Sequence, residues 1–225
     1  MIRKIFNFGL DVEWVESNPA VRVTRPSVEQ SRTRVLSHDE LRRTWKWLDA
    51  KAPRRLNDYE RRLWRLNRAA LKLRLVTAQR GGEVVAMRWS DIDLVGKWWT
   101  IPAERSKNKL PHRVPLTEQA IAVLRGIRNG SRDAGAVVFR GIVGTRQRRG
   151  ALKGLEVDDI RPHDFRRTAA SFMASSGVPR LVISKVLNHV ESGVTAVYDR
   201  HSYDAEKRKA LAAWSRTLER ITAAK

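Results

Sequence analysis

Residues 97–117 read KWWTIPAERSKNKLPHRVPLT, and within them the spacing of apolar side chains shifts from the helical period to a period of two. Trp98 to Ile101 and Arg113 to Leu116 form two short strand-like segments. The polar stretch Ser106-Lys107-Asn108-Lys109 joins them as a hairpin turn. Elsewhere the chain repeats its apolar residues at three- and four-residue spacing. The hairpin is therefore the exception that decides the class: mainly α with a small antiparallel β-sheet, an α+β fold.

Upstream of the hairpin, Ser37-His38-Asp39-Glu40 has the S-x-x-E form of a capping box, with Leu36 and Leu41 placed as a hydrophobic staple, so a helix is expected to about Lys51. A second helix is expected from about Asp58 to Ala78, carrying Leu63, Leu66, Ala70, Leu73 and Thr77 on one face. Gly81-Gly82 reads as a soft point before Glu83 to Trp89. Downstream, Thr117 caps a helix to about Arg128, Val137-Val138-Phe139 is a strand candidate, and Gly141 to Gly154 is a glycine-rich basic loop. Helices then follow from Pro162 to Gly177, from Pro179 to Leu187 and from Asp204 to Ala223. At the front, Ile2 to Val15 forms a short helix stopped by Ser17-Asn18-Pro19, and Val21 to Arg34 reads as a linker. The expected division is 1–34 and 35–225.

The charge is lopsided. Among 225 residues, 45 Lys and Arg face 24 Asp and Glu, a formal +21. Residues 97–153 alone hold 13 basic against 3 acidic residues, which places the excess inside folded structure and not in a tail. Such a surface calls for a polyanion: nucleic acid, an anionic membrane face or an acidic protein. No apolar run has membrane-spanning length, and Met1 to Glu16 mixes charges into its apolar residues, unlike a secretory signal. With no cysteine, disulfides, thiolate nucleophiles and zinc–cysteine sites are excluded, and a reducing, cytoplasmic and nucleoid-associated location is expected.

The chain contains no P-loop, no G-x-S-x-G elbow and no H-E-x-x-H. What it offers is a set of cations. Arg80 lies in Thr77-Ala78-Gln79-Arg80-Gly81-Gly82-Glu83, His163 and Arg166 share a helix face at a spacing of three, and Leu187-Asn188-His189 precedes Val197-Tyr198-Asp199-Arg200. Arginines, histidines and a lysine around a tyrosine suit nucleophilic attack on a phosphodiester. Arginine clamps the non-bridging oxygens, and the tyrosyl phosphate stores the bond energy so that rejoining needs no ATP. The chain holds three tyrosines: Tyr59 stands among Arg61, Arg62 and Arg65, and Tyr203, beside His201, is the rival to Tyr198.

Four stretches, TAQRGGEVVAMRWSDID (77–93), IPAERSKNKLPHRVPL (101–116), RPHDFRRTAASFMASSGV (161–178) and VLNHVESGVTAVYDRHSYDAEKRKAL (186–211), resemble in order and spacing the catalytic domain of tyrosine recombinases, the phage integrase family, and most of all prophage and genomic-island integrases. The resemblance implies Arg80 as the first catalytic arginine with Glu83 as its buried orienting partner, Lys107 as the acid for the leaving 5′ oxygen with Lys109 as its rival, His163 and Arg166 as the H-x-x-R pair, His189 as the second histidine and Tyr198 as nucleophile. It implies a site-specific DNA recombinase that cleaves and rejoins strands through a 3′-phosphotyrosyl intermediate, with no metal or cofactor.

Lys109, His112, Arg113, Arg146, Arg148, Arg149, Arg167 and Arg200 are the expected DNA contacts. Double-stranded DNA, a homotetramer on DNA from a monomer when free, and DNA-bending or excision accessory proteins are the implied partners. Two positions depart from the pattern, Ala78 and Asn188 standing where glycine is common. Met1 to Val23 resembles only the last helix of the family's core-binding domain, so the chain reads as a fragment, with a catalytically unproductive DNA-binding remnant as the alternative. A third reading, an RNA-binding or ribosome-associated protein, is allowed by the charge alone. The stripe Leu211, Trp214, Leu218 and Ile221 suits docking on a neighbouring protomer or packing within its own domain. Trp45, Trp47, Trp64, Trp89 and Trp214 read as core aromatics.

Overall fold

The computed structural model describes residues 2–23, 32–128, 135–142, 152–190 and 201–224. Contacts divide the chain into two units, 1–33 and 34–225. In the first, helix α1 (Ile2–Asp11) is followed by a turn that returns Asn18 to it. The Asn18 amide donates to Asn7 at 2.5 Å and to the Arg3 carbonyl at 3.2 Å. Arg3 in turn donates to the carbonyls of Ala20 and Val23.

The second unit is built around helix α3 (Asp58–Thr77), whose last three turns are almost wholly buried. Helix α2 (His38–Asp49) begins at Ser37 with both capping-box bonds made, Ser37 Oγ accepting from the Glu40 N–H and Glu40 accepting from the Ser37 N–H. The staple residues Leu36 and Leu41 are buried. Asn57 and Glu60 make a second capping box at the start of α3. The hairpin is present as β2 (Trp98–Ile101) and β3 (His112–Pro115), paired antiparallel with Trp99 opposite Val114. Strand β1 (Ile92–Asp93), too short for a periodicity to reveal, adds a third strand in the order β1-β2-β3.

Helix α4 (Gly81–Val85) starts at the glycine pair where a soft point is expected, because Glu83 caps it. Val137 makes only an isolated bridge to Arg88, so 137–139 is not a strand: Val138 and Phe139 are buried against the core without a ladder partner. Helices α5 (Glu118–Ile127), α6 (Asp164–Ser175), α7 (Arg180–Val186) and α8 (Asp204–Ala223) complete the described unit. Among the described residues, no helix is long and apolar enough to cross a membrane.

Helix α8 packs on α2, α6, α7 and β3. Its stripe Leu211, Trp214, Leu218 and Ile221 is buried in its own domain, and Trp214 Nε1 donates to the Leu75 carbonyl at 2.9 Å. Of the remaining tryptophans, Trp45, Trp47 and Trp89 pack half-buried against the core. The Arg68 guanidinium stacks between the rings of Trp47 and Trp64, at 3.3 and 4.3 Å from their centroids.

Candidate active site

At the end of α3 the chain must turn sharply to begin α4, and Ala78 makes that turn with φ 57° and ψ 20°. A left-handed alanine costs about 1 kcal/mol that glycine would not. The turn carries Arg80 out of the helix, and Glu83 reaches back to it. Glu83 is 4% exposed; its carboxylate accepts from Arg80 Nη1 at 3.1 Å and from the Arg80 backbone N–H at 3.3 Å. Arg80 Nη2 donates to the Asn188 carbonyl at 3.1 Å. One fifth of the Arg80 side chain stays open, so the group is braced without being closed off.

Arg166, in the first turn of α6, is buried. Its Nη1 donates to the Ala78 carbonyl at 2.8 Å, and its Nη2 donates to the Leu187 carbonyl and to His189 Nε2, the latter at 3.1 Å. One guanidinium thus ties together the turns after α3 and α7. Burial, then Arg80, pushes its pKa down to about 10, opposed by Glu83, so it remains charged at neutral pH. Because Arg166 donates to Nε2 of His189, that ring is neutral with its proton on Nδ1. Partial burial, then Arg166 and Arg80, lower the His189 pKa. His163 occupies the N-cap position of α6, and burial followed by Arg167, Arg166 and Arg74 lowers its pKa. His163 is therefore a proton acceptor at neutral pH, whereas the acceptor nitrogen of His189 is already taken by Arg166.

The hairpin turn is bound to the same place. The Lys107 N–H donates to Glu83 at 3.4 Å while its side chain is exposed. Asn188, with φ 49°, donates from its amide to Ser106 Oγ at 3.0 Å and accepts on Oδ1 from Asn108 at 2.9 Å. In the sequence Asn188 stands out only as a departure from glycine. Asparagine is one of the few residues that tolerates left-handed backbone, and here its side chain uses that position to hold the hairpin turn beside Arg80. The polar residue in a glycine-favouring position was the available signal.

The expected DNA contacts fare differently. His112 is a correction: it is 6% exposed, and its Nε2 faces the Val186 carbonyl at 3.2 Å, so it braces β3 against α7 and presents nothing at the surface. Lys109 is exposed at φ 60°. Arg113 pairs with Asp204 and lies over the Trp98 ring, and Arg167 pairs with buried Asp164 at 2.9 Å. Tyr198, Arg146, Arg148, Arg149 and Arg200 lie outside the described residues. Among those described, no three His, Asp or Glu side chains gather as metal ligands.

Two consequences can be measured. Burial, reinforced by Lys207, pushes His112 down to about 3. The unfolded chain, with an ordinary histidine value near 6.5, therefore binds the proton first as pH falls. The contribution of His112 is intact above pH 6.5 and is lost progressively below it, by about 2 kcal/mol at pH 5. Urea midpoints from pH 7 to 5 should show this slope, and His112→Gln, which keeps a donor for Val186, should flatten it. Glu83→Ala should cost about 3 kcal/mol in urea unfolding, since it strips the partner from a largely buried arginine. Glu83→Gln, which retains acceptor oxygen, should cost about 1 kcal/mol.

A family model described as the phage integrase family matches residues 46–205. Prophage integrase IntA of Escherichia coli strain K12 is 29% identical over 155 residues, covering 63% of this chain and 36% of that protein. The chain spans about two fifths of the length of the curated relatives it matches first. Among solved structures, the integrase from mycobacterium phage Brujita superposes with a TM-score of 0.59 at 18% identity, covering 98% of this chain and 74% of that one. A lambda integrase tetramer bound to a Holliday junction gives 0.56 at 21% identity, covering 90% and 58%. At these identities the structures establish the shared fold.

Proposed function

The chain belongs to the phage integrase family, and on that premise we propose that it is a site-specific DNA recombinase, breaking and rejoining strands to integrate or excise a mobile element. The observation that carries this reading is the convergence of Arg80, Arg166 and a neutral His189 on one open site, with Arg166 held by carbonyls and an imidazole instead of a carboxylate. Such a site is built for an incoming anion. Two guanidinium groups can take the non-bridging oxygens of a phosphodiester and offset the charge that accumulates as phosphorus becomes five-coordinate.

In the reaction the Tyr198 oxygen forms a bond to phosphorus as the P–O5′ bond breaks. The phenolic proton passes to a neutral imidazole, that of His163, since Arg166 already occupies Nε2 of His189, and Lys107 returns a proton to the departing 5′ oxygen. Attack by a 5′-hydroxyl from a partner duplex reverses these steps and exchanges strands. The Glu83 bond to the Lys107 backbone favours Lys107 over Lys109 for this role, since it ties that residue's turn to Arg80. An unproductive DNA-binding remnant is not favoured, because the braced arginine and histidine cluster is in place. The acting form on DNA is a homotetramer assembled from free monomers, and bending or excision proteins assist it.

Incubation with nicked suicide duplexes drawn from a randomised library tests the proposal. A covalent adduct that survives SDS, with a recurring sequence at the nick, is expected. Its absence at every duplex concentration would overturn the assignment. Charge-neutral substitution at the exposed Lys109 should lower affinity across all sequences alike and reduce the slope of log affinity against log salt by about 0.9.

A further inference from the structure

Arg74 is not among the residues that sequence reasoning brings to the site. It occupies the last turn of α3, six residues before Arg80, and is 7% exposed. Its Nε has no hydrogen-bond partner and no carboxylate pairs with it among the described residues. The carboxylates of this region are already engaged, Glu83 with Arg80 and Asp164 with Arg167. Burial lowers its pKa to about 10, which leaves it charged at neutral pH. A buried, unpaired guanidinium is an expensive feature for a fold to keep.

Its position gives the reason for keeping it. The guanidinium lies against the backbone of Gly81, the residue next to Arg80. A Cβ at position 81 would stand 2.7 Å from its Cζ and 2.8 Å from its Nη1, so a side chain there would push the guanidinium from this place. Its charge also reaches His163, whose pKa it helps to lower.

We propose that Arg74 is a further phosphate-binding arginine of the site, a buried cation whose counter-ion is the scissile phosphate entering beside Gly81. This rests on the recombinase reading above for the identity of the anion. The chemistry is that of Arg80 and Arg166: guanidinium donors for phosphate oxygens, with charge that strengthens as the transition state forms.

The full chain, Arg74→Met, Arg74→Lys and Gly81→Ala are compared in two assays. In the first, thermal unfolding is followed without added anion and with sodium orthovanadate at constant ionic strength, which needs no DNA and no cleavage. Arg74→Met should melt no lower than the parent chain without anion, since an unpaired buried charge has been replaced by an apolar side chain of similar length. It should lose at least half of the stabilisation that vanadate gives the parent. A structural arginine would do the opposite: Arg74→Met would melt lower, with the vanadate shift unchanged, and the proposal would fall.

In the second assay, single-turnover adduct formation on a trapped suicide duplex should slow by about 10²-fold in Arg74→Met, and less in Arg74→Lys. Gly81→Ala, which displaces the guanidinium, should slow it comparably and add little to Arg74→Met. With a methylphosphonate at the scissile position, where the charge to be matched is gone, the Arg74→Met defect should shrink to within about twofold. An equal defect on both substrates, or none on either, would overturn the proposal. If the parent chain forms no adduct at all, the recombinase reading is what fails, and the vanadate arm still decides whether Arg74 holds an anion.

Discussion

Tyr198→Phe is expected to abolish the SDS-resistant adduct, while Tyr203→Phe should form it within about threefold of the parent rate. The chain holds three tyrosines, and their surroundings differ. Tyr59 is two-thirds exposed in the first turn of α3, and at the helical rise its Cα lies about 27 Å along the axis from Thr77, where the site begins. Tyr203 precedes α8 in a left-handed conformation, with its ring edge-on to His201 at 4.6 Å and under the Lys185 ammonium at 4.8 Å. Those contacts hold a ring in place. Tyr198 is the remaining phenol, and its spacing from His189 is the one the family resemblance implies. Denaturing gel analysis of the parent chain and the two variants on one nicked duplex decides the matter: an adduct in Tyr198→Phe that is lost in Tyr203→Phe would transfer the role.

The second large effect concerns Arg166. Arg166→Gln should lower the single-turnover rate of adduct formation by about 10²–10³-fold, the usual cost of removing one preorganised donor to a developing anion. It should also lower stability by about 2–4 kcal/mol, because the carbonyls of Ala78 and Leu187 lose their donor inside the protein. Arg166→Lys separates the two contributions. An ammonium keeps the charge but cannot span the two carbonyls and His189 at once, so the rate should recover only in part. Restoration of the full rate by lysine would mean that charge alone matters and that the tie between the two turns does not. Equilibrium urea unfolding beside the rate measurement distinguishes lost folding from lost chemistry.

Much of the fold could be read from the chain because its signals are local. The capping box at Ser37, the period-two segments on either side of Lys107, and the apolar stripe of α8 each express themselves within one element, and each element formed. Strand β1 was missed because two residues carry no periodicity. The soft point expected at Gly81-Gly82 became the start of a helix because Glu83 bonds back across it to Arg80. The bridge at Val137 was overread because a short apolar run is the same in a strand and in a buried loop.

The reactive residue types were legible too, since they recur in a fixed order along the chain and only a few side chains can do phosphoryl chemistry. What order along the chain cannot contain is environment. Only the packed fold shows that His112 is a buried strut and not a surface cation, that Asn188 fastens the hairpin turn to the arginines, and that the tail stripe belongs to its own core. The same holds for Arg74, which in sequence is one of many arginines on a long helix. Burial, the absence of a counter-ion among the described residues and a facing glycine give it a distinct charge problem, and those are set by residues that meet only after the helices pack.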